Sequence, residues 1–594
     1  MEKPPRKKAV VIGAGAGGIA AAARLAKAGY SVTVLEKNAF TGGRCSLLET
    51  PDGHRFDQGP SLLLLPKLFR EVFFDLGTTL EAEGVELLRC PTNYNVWFSD
   101  GENFELTTDL ARMKTQIERW EGKDGFVRYL SWLKEAHVHY ELSVARVLSR
   151  NFTSIWQLVV PKFVLTGLNL HPLHTIWNRA RLYFWSERLR RVFTFATMYM
   201  GMSPFNAPAT YSLLQYTELA EGIWYPRGGF QTVLAALQRV GERLGVEYRL
   251  YTPVAQILTR SDGKTATGVQ LESGEILEAD TIVVNADLVY AYSNLLPQAT
   301  PQMRRYGEAL REKDGSCSSI SFYWSLDRKV PELQTHNIFL ADEYRESFDA
   351  IFDRQTLPDE PSFYVNVPSR IDPSAAPEGR DSIIALVPVG HLLDSKGFGA
   401  AANGESGLQR EQDWTKLVVQ ARQAVLATIT ARTGCAPLEP SITHEIINDP
   451  FSWEAKFNLD KGSILGLSHS FFNVLSFRPR TRANGFRNVY FVGASTHPGT
   501  GVPIVLAGSK ITTEQILDDA GMAVPWKGRP SFIRDQGAPQ NSATTRLDKI
   551  RAPWGPALLE AVLLEFMFWL PLCISSAITW RLMTYMGWSP VWSQ

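Results

Sequence analysis

The chain has 594 residues, enough for about two or three domains with a well-buried core. Its 61 lysines and arginines balance its 61 aspartates and glutamates, so the formal net charge is zero and no basic surface for nucleic acid is predicted. The five cysteines are scattered and odd in number, which gives neither a disulfide framework nor a zinc-binding spacing and indicates a reducing compartment for the main body.

The chain begins with a short basic segment, residues 1–8, and an apolar run, residues 9–12, follows it directly. The run has the composition of a strand that is buried on both faces of a parallel sheet. Because this strand takes the place where the apolar region of a signal peptide would lie, we expect neither a secretory signal nor an organelle presequence.

A glycine motif with G-x-G-x-x-G spacing follows this strand, at Gly13, Gly15 and Gly18. Residues 19–28 are rich in alanine and favour a helix, and residues 31–35 alternate as a second strand that ends at Glu36. A lone glycine motif would be weak evidence. With the strand before it, the helix after it and the acid at this distance, it predicts a dinucleotide site.

Each residue of this motif has a physical role. Gly13 permits the tight turn, Gly15 allows a pyrophosphate to approach the backbone, and Gly18 allows the helix to pack closely on the strand. The free N–H groups at the helix N-terminus can bind the anion, and Glu36 can accept hydrogen bonds from ribose hydroxyls. The alternative is a glycine-rich turn that has lost its ligand.

Two further segments indicate which dinucleotide binds. Residues 42–44 read GGR, and residues 57–61 read DQGPS. An acid-ended second strand followed by GGR resembles the FAD-binding start of the amine oxidase and phytoene desaturase flavoprotein superfamily. The resemblance implies non-covalent FAD, with the arginine region beside the flavin diphosphate. It adds to the predicted cofactor-binding residues Gly43, Arg44, Gly59, Pro60 and Ser61.

An unusual apolar region lies inside the chain. Residues 151–177 carry one charge, Lys162, and are interrupted by Pro161, Gly167 and Pro172, which would break a straight helix. A membrane span is therefore not expected here. The region could form the core of a substrate domain, or a monotopic patch that dips into a bilayer and opens a substrate tunnel, and both interpretations stay open.

The middle of the chain returns to the cofactor domain. Residues 224–230 read WYPRGGF and form a turn into a helix over 230–243, and residues 246–251 and 281–287 have strand patterns. In the flavoprotein superfamily, the residue that matches Val254 holds adenine with its backbone. The resemblance therefore adds Val254 to the predicted FAD site.

A second strand, glycine turn and helix appear near residue 500. Residues 488–492 predict the strand, 493–503 the turn and 504–517 the helix, whose N–H groups could bind phosphate and flavin. The stretch resembles the C-terminal motif of carotenoid desaturases of the bacterial and fungal phytoene desaturase type, as do residues 224–230 and the GSILGLSHSFF segment from Gly462. The predicted cofactor residues of this motif are Gly493, His497, Gly501 and Val502.

The predicted fold is α/β. It consists of a discontinuous Rossmann-like FAD-binding domain, an inserted α+β substrate domain and a C-terminal membrane-anchoring helix. The FAD-binding domain is assigned to residues 9–90, 221–290 and 476–520. The substrate domain is assigned to 91–220 and 291–475, a linker rich in proline and glycine to 521–556, and the anchor to 557–581.

The anchor rests on residues 561–580, which carry one charge, Glu565. At ~1.5 Å per residue these ~20 residues reach about 30 Å, the thickness of a hydrocarbon core. Because Glu565 and Pro571 weaken a clean span, an interfacial helix and a buried core helix stay open as alternatives. With a spanning tail, the catalytic body would be cytosolic on an endomembrane, with the endoplasmic reticulum as the expected site.

The resemblance implies a reaction. A flavin takes a hydride from an allylic carbon of phytoene, a proton leaves the neighbouring carbon, and a conjugated double bond forms on the way to lycopene or a further desaturated product. The expected partners are the polyene substrate, the lipid bilayer and other carotenoid-pathway enzymes. The terminal electron acceptor stays open among a quinone, oxygen and a nicotinamide.

No residue stands out as the catalytic base. His497, Glu218 and Glu221 are the candidates, and a base is not required if a carbocation-like product loses its proton readily. His497 could equally be a structural histidine bonded to the backbone. Aromatic residues near position 200 are candidates for a tunnel wall or for plain core: Phe193, Phe195, Tyr199, Tyr211 and Tyr216.

Three other functions are weighed. One is a carotenoid isomerase, ketolase or saturase of the same fold. Another is a tail-anchored amine oxidase, although its covalent-flavin type requires a cysteine near the C-terminal motif and the sequence has none between Cys435 and Cys573. The third, a flavin-free lipid escort protein, is disfavoured by the intact glycine motifs.

Overall fold

A computed structural model describes residues 6–157, 169–171, 174–296, 301–393 and 412–528. In chain order the strands of these residues are β1 (Lys8–Ile12), β2 (Ser31–Leu35), β3 (Leu47–Glu49), β4 (Arg55–Asp57), β5 (Leu87–Arg89), β6 (Tyr94–Trp97), β7 (Asn103–Leu106), β8 (Trp224–Pro226), β9 (Glu247–Arg249), β10 (Val254–Thr259), β11 (Ala266–Leu271), β12 (Ile276–Glu278), β13 (Thr281–Val284), β14 (Ser318–Leu326), β15 (His336–Phe339), β16 (Phe363–Asn366), β17 (Asp381–Val389), β18 (Ile442–Asn448) and β19 (Val489–Phe491).

The described residues also form α-helices, which lie between the strands along the chain. They are Ala16–Lys27, Pro66–Leu76, Leu110–Ser143, Ile176–Tyr183, Glu187–Val192, Leu213–Tyr216, Phe230–Arg243, Leu288–Tyr290, Pro301–Arg311, Tyr344–Phe352, Trp414–Thr433, Pro450–Phe457 and Val502–Asp519.

A five-stranded parallel sheet forms the first part of the fold, in the order β19-β13-β1-β2-β9. Its strands come from distant parts of the chain, because β1 and β2 lie near the N-terminus and β19 near residue 490. The chain leaves β1 towards β2 on one side, while β13 lies on the other side. A crevice at such a switch point, at the carboxyl ends of the strands, is where α/β sheets bind ligands.

Three helices cover one face of this sheet. Ala16–Lys27 buries a run of alanines and packs against Phe230–Arg243 and Val502–Asp519, which the small side chains allow. A buried charge fixes this contact, since Arg24 donates to the carboxylate of Asp75 at 2.8 Å and to the Ser509 hydroxyl at 2.6 Å. The helix that begins at the first glycine motif is thereby tied to the helix that begins at the second.

A seven-stranded mixed sheet forms the second part, in the order β18-β14-β17-β16-β15-β6-β7. Its strands pair antiparallel except β15 with β6, which pair parallel. The central strand β14 is buried along its whole length. The α/β part of the predicted fold agrees with these two sheets, whereas the domain boundaries by residue stay predictions.

The structure describes only some of the residues for which membrane contact is predicted. No helix in the described ranges is long and apolar enough to cross a bilayer. The anchor at 557–581 and most of the linker at 521–556 lie outside those ranges, as do residues 158–168 and 172–173 of the internal apolar region. The anchoring helix therefore stays a prediction.

Candidate active site

One cavity of about 1100 Å³ joins the two sheets. On one side it is lined by the turns that follow β1, β13 and β19. On the other side it is lined by side chains of the second sheet and by apolar residues near position 200. Polar backbone and apolar side chains therefore face the same enclosed space.

The first glycine motif has the geometry that an anion site needs. Gly13 adopts φ +96°, and its N–H donates to the Leu35 carbonyl at 2.8 Å, which joins the turn to the end of β2. A Cβ at Gly18 would lie 2.1 Å from the Gly13 carbonyl oxygen, so only glycine fits there. Gly15 caps the helix Ala16–Lys27 without any side-chain hydrogen bond, and it lines the cavity. The first N–H groups of that helix are left for a ligand.

Glu36 ends β2 as a buried carboxylate on the cavity wall. One oxygen accepts from the Ala14 N–H at 2.8 Å, and the other accepts from the N–H and the amide of Asn38, each at 2.9 Å. These bonds fix the carboxylate beside the glycine turn. Its remaining lone pairs suit the hydroxyls of a ribose.

The GGR and DQGPS segments pack against each other along the cavity. Gly43, Arg44, Gly59, Pro60 and Ser61 all line it. Arg44 donates to the Ile464 carbonyl, and a Cβ at Gly59 would lie 2.6 Å from the Arg44 carbonyl oxygen. The close approach of these two segments therefore requires glycine at this position.

The second glycine motif supplies another open helix end. Gly493 and Gly501 have φ values of +133° and +96°, and Gly501 caps the helix Val502–Asp519 without a side-chain hydrogen bond. Gly493, Gly501 and Val502 line the cavity, and so does Val254 at the start of β10. Two helix N-termini, a fixed carboxylate and a glycine cradle fit the diphosphate and ribose of a dinucleotide.

Gly18 and His497 are the predicted cofactor residues that do not line the cavity. Gly18 acts through packing, as its contact with Gly13 shows. His497 is buried, and its Nε2 donates to the Arg150 carbonyl at 2.7 Å. Burial lowers the pKa of His497 to about 4, so the ring is neutral. This geometry favours the structural interpretation of His497 and gives no support to a catalytic one.

The two predicted carboxylates also lie away from the cavity. Glu218 is fully buried, accepts from the Tyr94 hydroxyl at 3.2 Å, and has its pKa raised to about 8 by burial. Glu221 accepts from the Tyr140 hydroxyl at 3.0 Å and pairs with Lys67 at 3.1 Å. Because neither side chain lines the cavity, a direct catalytic role has no geometric support.

The aromatic candidates divide into wall and core. Phe195, Tyr199 and Tyr211 line the cavity. Phe193 instead stacks on Phe184 with ring centroids 4.2 Å apart, and Tyr216 packs on Tyr140. Sequence periodicity could not separate these groups, because all five residues belong to short, closely packed turns and helices.

Three polar residues near the cavity were not predicted: Tyr364, His336 and His469. Tyr364 and His469 line it, and His336 lies behind Tyr364 on the neighbouring strand. The Nε2 of His469 accepts from the Thr500 N–H at 3.1 Å, which ties the GSILGLSHSFF segment to the second glycine motif. That segment was the one sequence signal that could have indicated His469.

Comparison with known proteins agrees with this site. Residues 16–395 match the family described as flavin containing amine oxidoreductase. The chain is 66% identical to a phytoene desaturase of Neurospora crassa, over 88% of this chain and 87% of that protein. It is 62% identical to a phytoene desaturase of Fusarium fujikuroi, over 88% and 91%, and 52% identical to one of Phycomyces blakesleeanus, over 89% and 88%.

Solved structures show the same fold at low identity. An oxidoreductase from Methanosarcina mazei superposes with a TM-score of 0.54 at 16% identity, over 85% of this chain and 100% of that one. A cyclohexylamine oxidase from Brevibacterium oxydans gives 0.52 at 16% identity, over 87% and 100%. These likenesses concern the fold alone.

Proposed function

This chain belongs to the flavin-containing amine oxidoreductases and, within them, to the phytoene desaturases, and we propose that its cavity takes phytoene from a membrane and holds it beside FAD. The predicted resemblance to phytoene desaturases of the bacterial and fungal type is confirmed, and the three relatives named above come from fungi. The enzyme is an FAD-dependent oxidoreductase that acts on CH–CH bonds and desaturates phytoene in carotenoid biosynthesis.

The observation that carries this function is the continuity of the cavity. The dinucleotide cradle at Gly15 and Glu36 and the apolar residues Phe195, Met198 and Leu214 line one and the same cavity. FAD, when bound, supplies the hydride acceptor. The chain itself binds the diphosphate, orients the polyene along the apolar wall and excludes water from the reacting carbons.

Membrane uptake is supported by an apolar rim next to the cavity, consisting of the exposed Trp156, Phe471 and Phe472 and the half-buried Phe477. Trp156 is 75% exposed and Phe472 70%. Phe471 and Phe477 line the cavity, and their rings lie 5.2 and 5.8 Å from the ring of Phe472. The turn that carries Trp156 packs on the turn that carries Phe477.

Exposed aromatic side chains beside an apolar cavity suit a bilayer surface. A long polyene is very poorly soluble in water, so transfer from the hydrocarbon core directly into the cavity avoids the aqueous step. We add to this proposal the tail at 557–581 as a second attachment, with the catalytic body on the cytosolic side of the endoplasmic reticulum. Association with other enzymes of the pathway also stays a prediction.

The function is tested by pigment analysis of cells that accumulate phytoene, with and without this chain. We expect a polyene with more conjugated double bonds, whose absorption spectrum counts the steps. Unchanged phytoene in the presence of folded, flavin-loaded protein would contradict desaturation and would direct assays to isomerase, saturase and amine oxidase activity.

The membrane rim is tested with a chain that ends at residue 556, so that the tail does not contribute. Replacing both Trp156 and Phe472 by serine should weaken binding to phosphatidylcholine vesicles at least about tenfold, because each buried aromatic contributes roughly 1.5–3 kcal/mol. Ile276→Ser is the control, since Ile276 is 58% exposed on β12 of the cofactor part. Equal binding of both variants in a flotation assay would exclude the rim.

A further inference from the structure

A hydrogen-bonded chain of side chains begins at the substrate side of the cavity. Tyr364, on β16, lines the cavity, and its hydroxyl lies 2.7 Å from Ser61 Oγ and 2.8 Å from His336 Nδ1. Ser61 belongs to the DQGPS segment and also lines the cavity. His336, on β15, is fully buried. The chain therefore links the cofactor cradle to the interior of the second sheet.

The strand register places these groups together. His336 pairs with Asn366 and Ile338 pairs with Tyr364, so His336 and Tyr364 are diagonal neighbours on the same face of the sheet. The amide of Asn366 contributes a third contact, from its nitrogen to His336 Nδ1 at 3.2 Å. A cross-strand arrangement of this kind is rigid, since both residues lie on strands whose residues are all buried.

The network assigns the hydrogens. Because the Asn366 amide nitrogen donates to the Thr335 carbonyl at 2.9 Å and to His336 Nδ1, this ring nitrogen carries no hydrogen. The other nitrogen, Nε2, then donates to Cys90 Sγ at 3.5 Å. Tyr364 donates its hydroxyl hydrogen to Nδ1, and its oxygen accepts from Ser61. The phenol oxygen at the cavity wall is thus coupled to an unprotonated imidazole nitrogen.

Two other polar residues on the same wall, Tyr211 and His469, lack such a coupling. The hydroxyl of Tyr211 donates to the His469 carbonyl at 3.4 Å, and a carbonyl cannot carry a proton away. The Nε2 of His469 is occupied by the Thr500 N–H. Among the tyrosines of the described residues that line the cavity, Tyr364 is the one whose hydroxyl is hydrogen-bonded to a histidine ring.

We propose that Tyr364 receives the proton that leaves phytoene during desaturation, and that His336 acts through it by accepting the phenol's own proton. The inference rests on the proposed function. One C–H bond of the substrate would break with its electron pair, for which FAD, when bound, would be the hydride acceptor. The neighbouring C–H bond gives its electron pair to the new double bond, and its proton binds Tyr364 Oη. The original hydroxyl proton moves to His336 Nδ1. When product release lets water in, Tyr364 gives one proton to the water and takes the proton back from His336, which restores the starting state.

The electrostatics of the site suit this transfer. Burial raises the pKa of Tyr364 well above its ordinary value, so a phenolate would be unfavourable and the phenol needs a partner that takes its proton at the same time. Burial lowers the pKa of His336 to about 3, which keeps the ring unprotonated before each turnover. A weak base is sufficient here, because a C–H bond beside a carbocation-like centre is strongly acidic.

The test measures the rate at which phytoene in vesicles reduces the flavin of the full-length enzyme under anaerobic conditions. Tyr364→Phe removes the hydroxyl, and His336→Asn keeps a hydrogen-bond acceptor near Nδ1 but removes the base. Both should slow flavin reduction about 100-fold, at the low end for a positioned acid–base group, with flavin content, phytoene KM and the rate of reduction by dithionite unchanged.

Tyr323→Phe is the matched control. Tyr323 is a fully buried tyrosine whose hydroxyl donates to the Gln58 carbonyl, so its loss also removes a bond to the DQGPS segment, but Tyr323 does not line the cavity. We expect the wild-type reduction rate for this variant. An equal fall in all three variants would show a packing effect and would overturn the proposal, as would wild-type rates in Tyr364→Phe or His336→Asn.

A second readout needs no variant. If the Tyr364 proton moves in the same step, flavin reduction in the wild-type enzyme slows in D₂O, and this solvent isotope effect disappears in Tyr364→Phe. Its absence in the wild type would overturn the proposal even if the variants do not fold. Wild-type protein whose flavin phytoene does not reduce at all would instead contradict the proposed function.

Discussion

The two sides of the cavity expose different chemical groups. The cofactor side presents backbone, since glycine turns and two uncapped helix N-termini at Gly15 and Gly501 face the space. The substrate side presents side chains: apolar ones such as Phe195, and the hydroxyl-bearing side chain of Tyr364. A backbone site tolerates no added Cβ, whereas a side-chain site depends on which residues distant strands bring together. The two sides should therefore fail in different ways when they are mutated.

The largest expected effect concerns the helices that hold the cofactor side. Asp75→Ala removes the buried partner of Arg24, whose guanidinium is 1% exposed and would lose its charge partner. Breaking such a pair destabilises a protein by about 3–5 kcal/mol. We expect a lower denaturation midpoint in urea and early loss of flavin fluorescence quenching.

The control for this pair lies at the surface. Glu247→Ala removes a partner of Arg249, and both of these side chains are substantially exposed, at 55% and 34%. A surface pair contributes about 0–1 kcal/mol. If Asp75→Ala were no more destabilising than Glu247→Ala, the buried pair would not be what anchors the first glycine-motif helix to the helix Pro66–Leu76.

The next effect concerns the cofactor turn itself. Gly18→Ala places a Cβ 2.1 Å from the Gly13 carbonyl, so the turn must shift. Overpacking of this kind costs about 1–3 kcal/mol, which corresponds to roughly ten- to a hundredfold weaker flavin binding. The ratio of flavin to protein absorbance measures it. Gly307→Ala is the control, because its Cβ would have an ordinary contact of 3.6 Å, and it should retain full flavin.

The buried carboxyl group of Glu218, behind the substrate side of the cavity, should make the stability of the protein depend on pH. Burial raises the pKa of Glu218 to about 8 from an ordinary value of 4.5, so between these values the folded protein binds a proton that the unfolded chain does not. The stability contributed by this group is present at low pH and is lost as pH rises, by up to about 1.4 kcal/mol per pH unit.

Glu218→Gln should remove this dependence. The Gln215 amide, which now donates to Glu218 at 3.2 Å, can rotate so that its oxygen accepts from the new amide. The difference in urea midpoint between variant and wild type should therefore grow from pH 5 to pH 8 in favour of the variant. Parallel curves for the two proteins would show that Glu218 is ionised in the fold.

The contrast between the two sides also explains what the sequence could predict. The cofactor side follows from contiguous patterns, in which strand, glycine spacing and Glu36 lie within about 30 residues and imply one geometry. Tyr364 lies 303 residues and His336 275 residues from Ser61, in strands whose patterns indicate burial and nothing more. Their meeting is set by the register of β15 and β16 and by the packing of the two sheets, which no local pattern encodes.

His497 shows the same limit within a single motif. It belongs to the second glycine turn, where the flanking residues Gly493 and Gly501 line the cavity, yet its ring packs against Phe152 at 5.2 Å and bonds to the Arg150 carbonyl. The side chains of an irregular turn point in different directions, so membership of a cofactor motif does not decide which side chain contacts the ligand. The sequence alone could not choose between His497 and His469.

The smallest expected effect tests that distinction. His497→Asn loses the hydrogen bond to Arg150 and should lower stability by about 0.5–1.5 kcal/mol, with the flavin spectrum and the desaturation rate unchanged, because the ring does not line the cavity. His469→Asn changes a cavity wall and the bond to Thr500, so it should alter the flavin spectrum. The opposite result would be a lower desaturation rate in His497→Asn together with a normal flavin spectrum in His469→Asn. It would restore the catalytic interpretation of His497, and the active side chain would then lie on the cofactor turn instead of the substrate side.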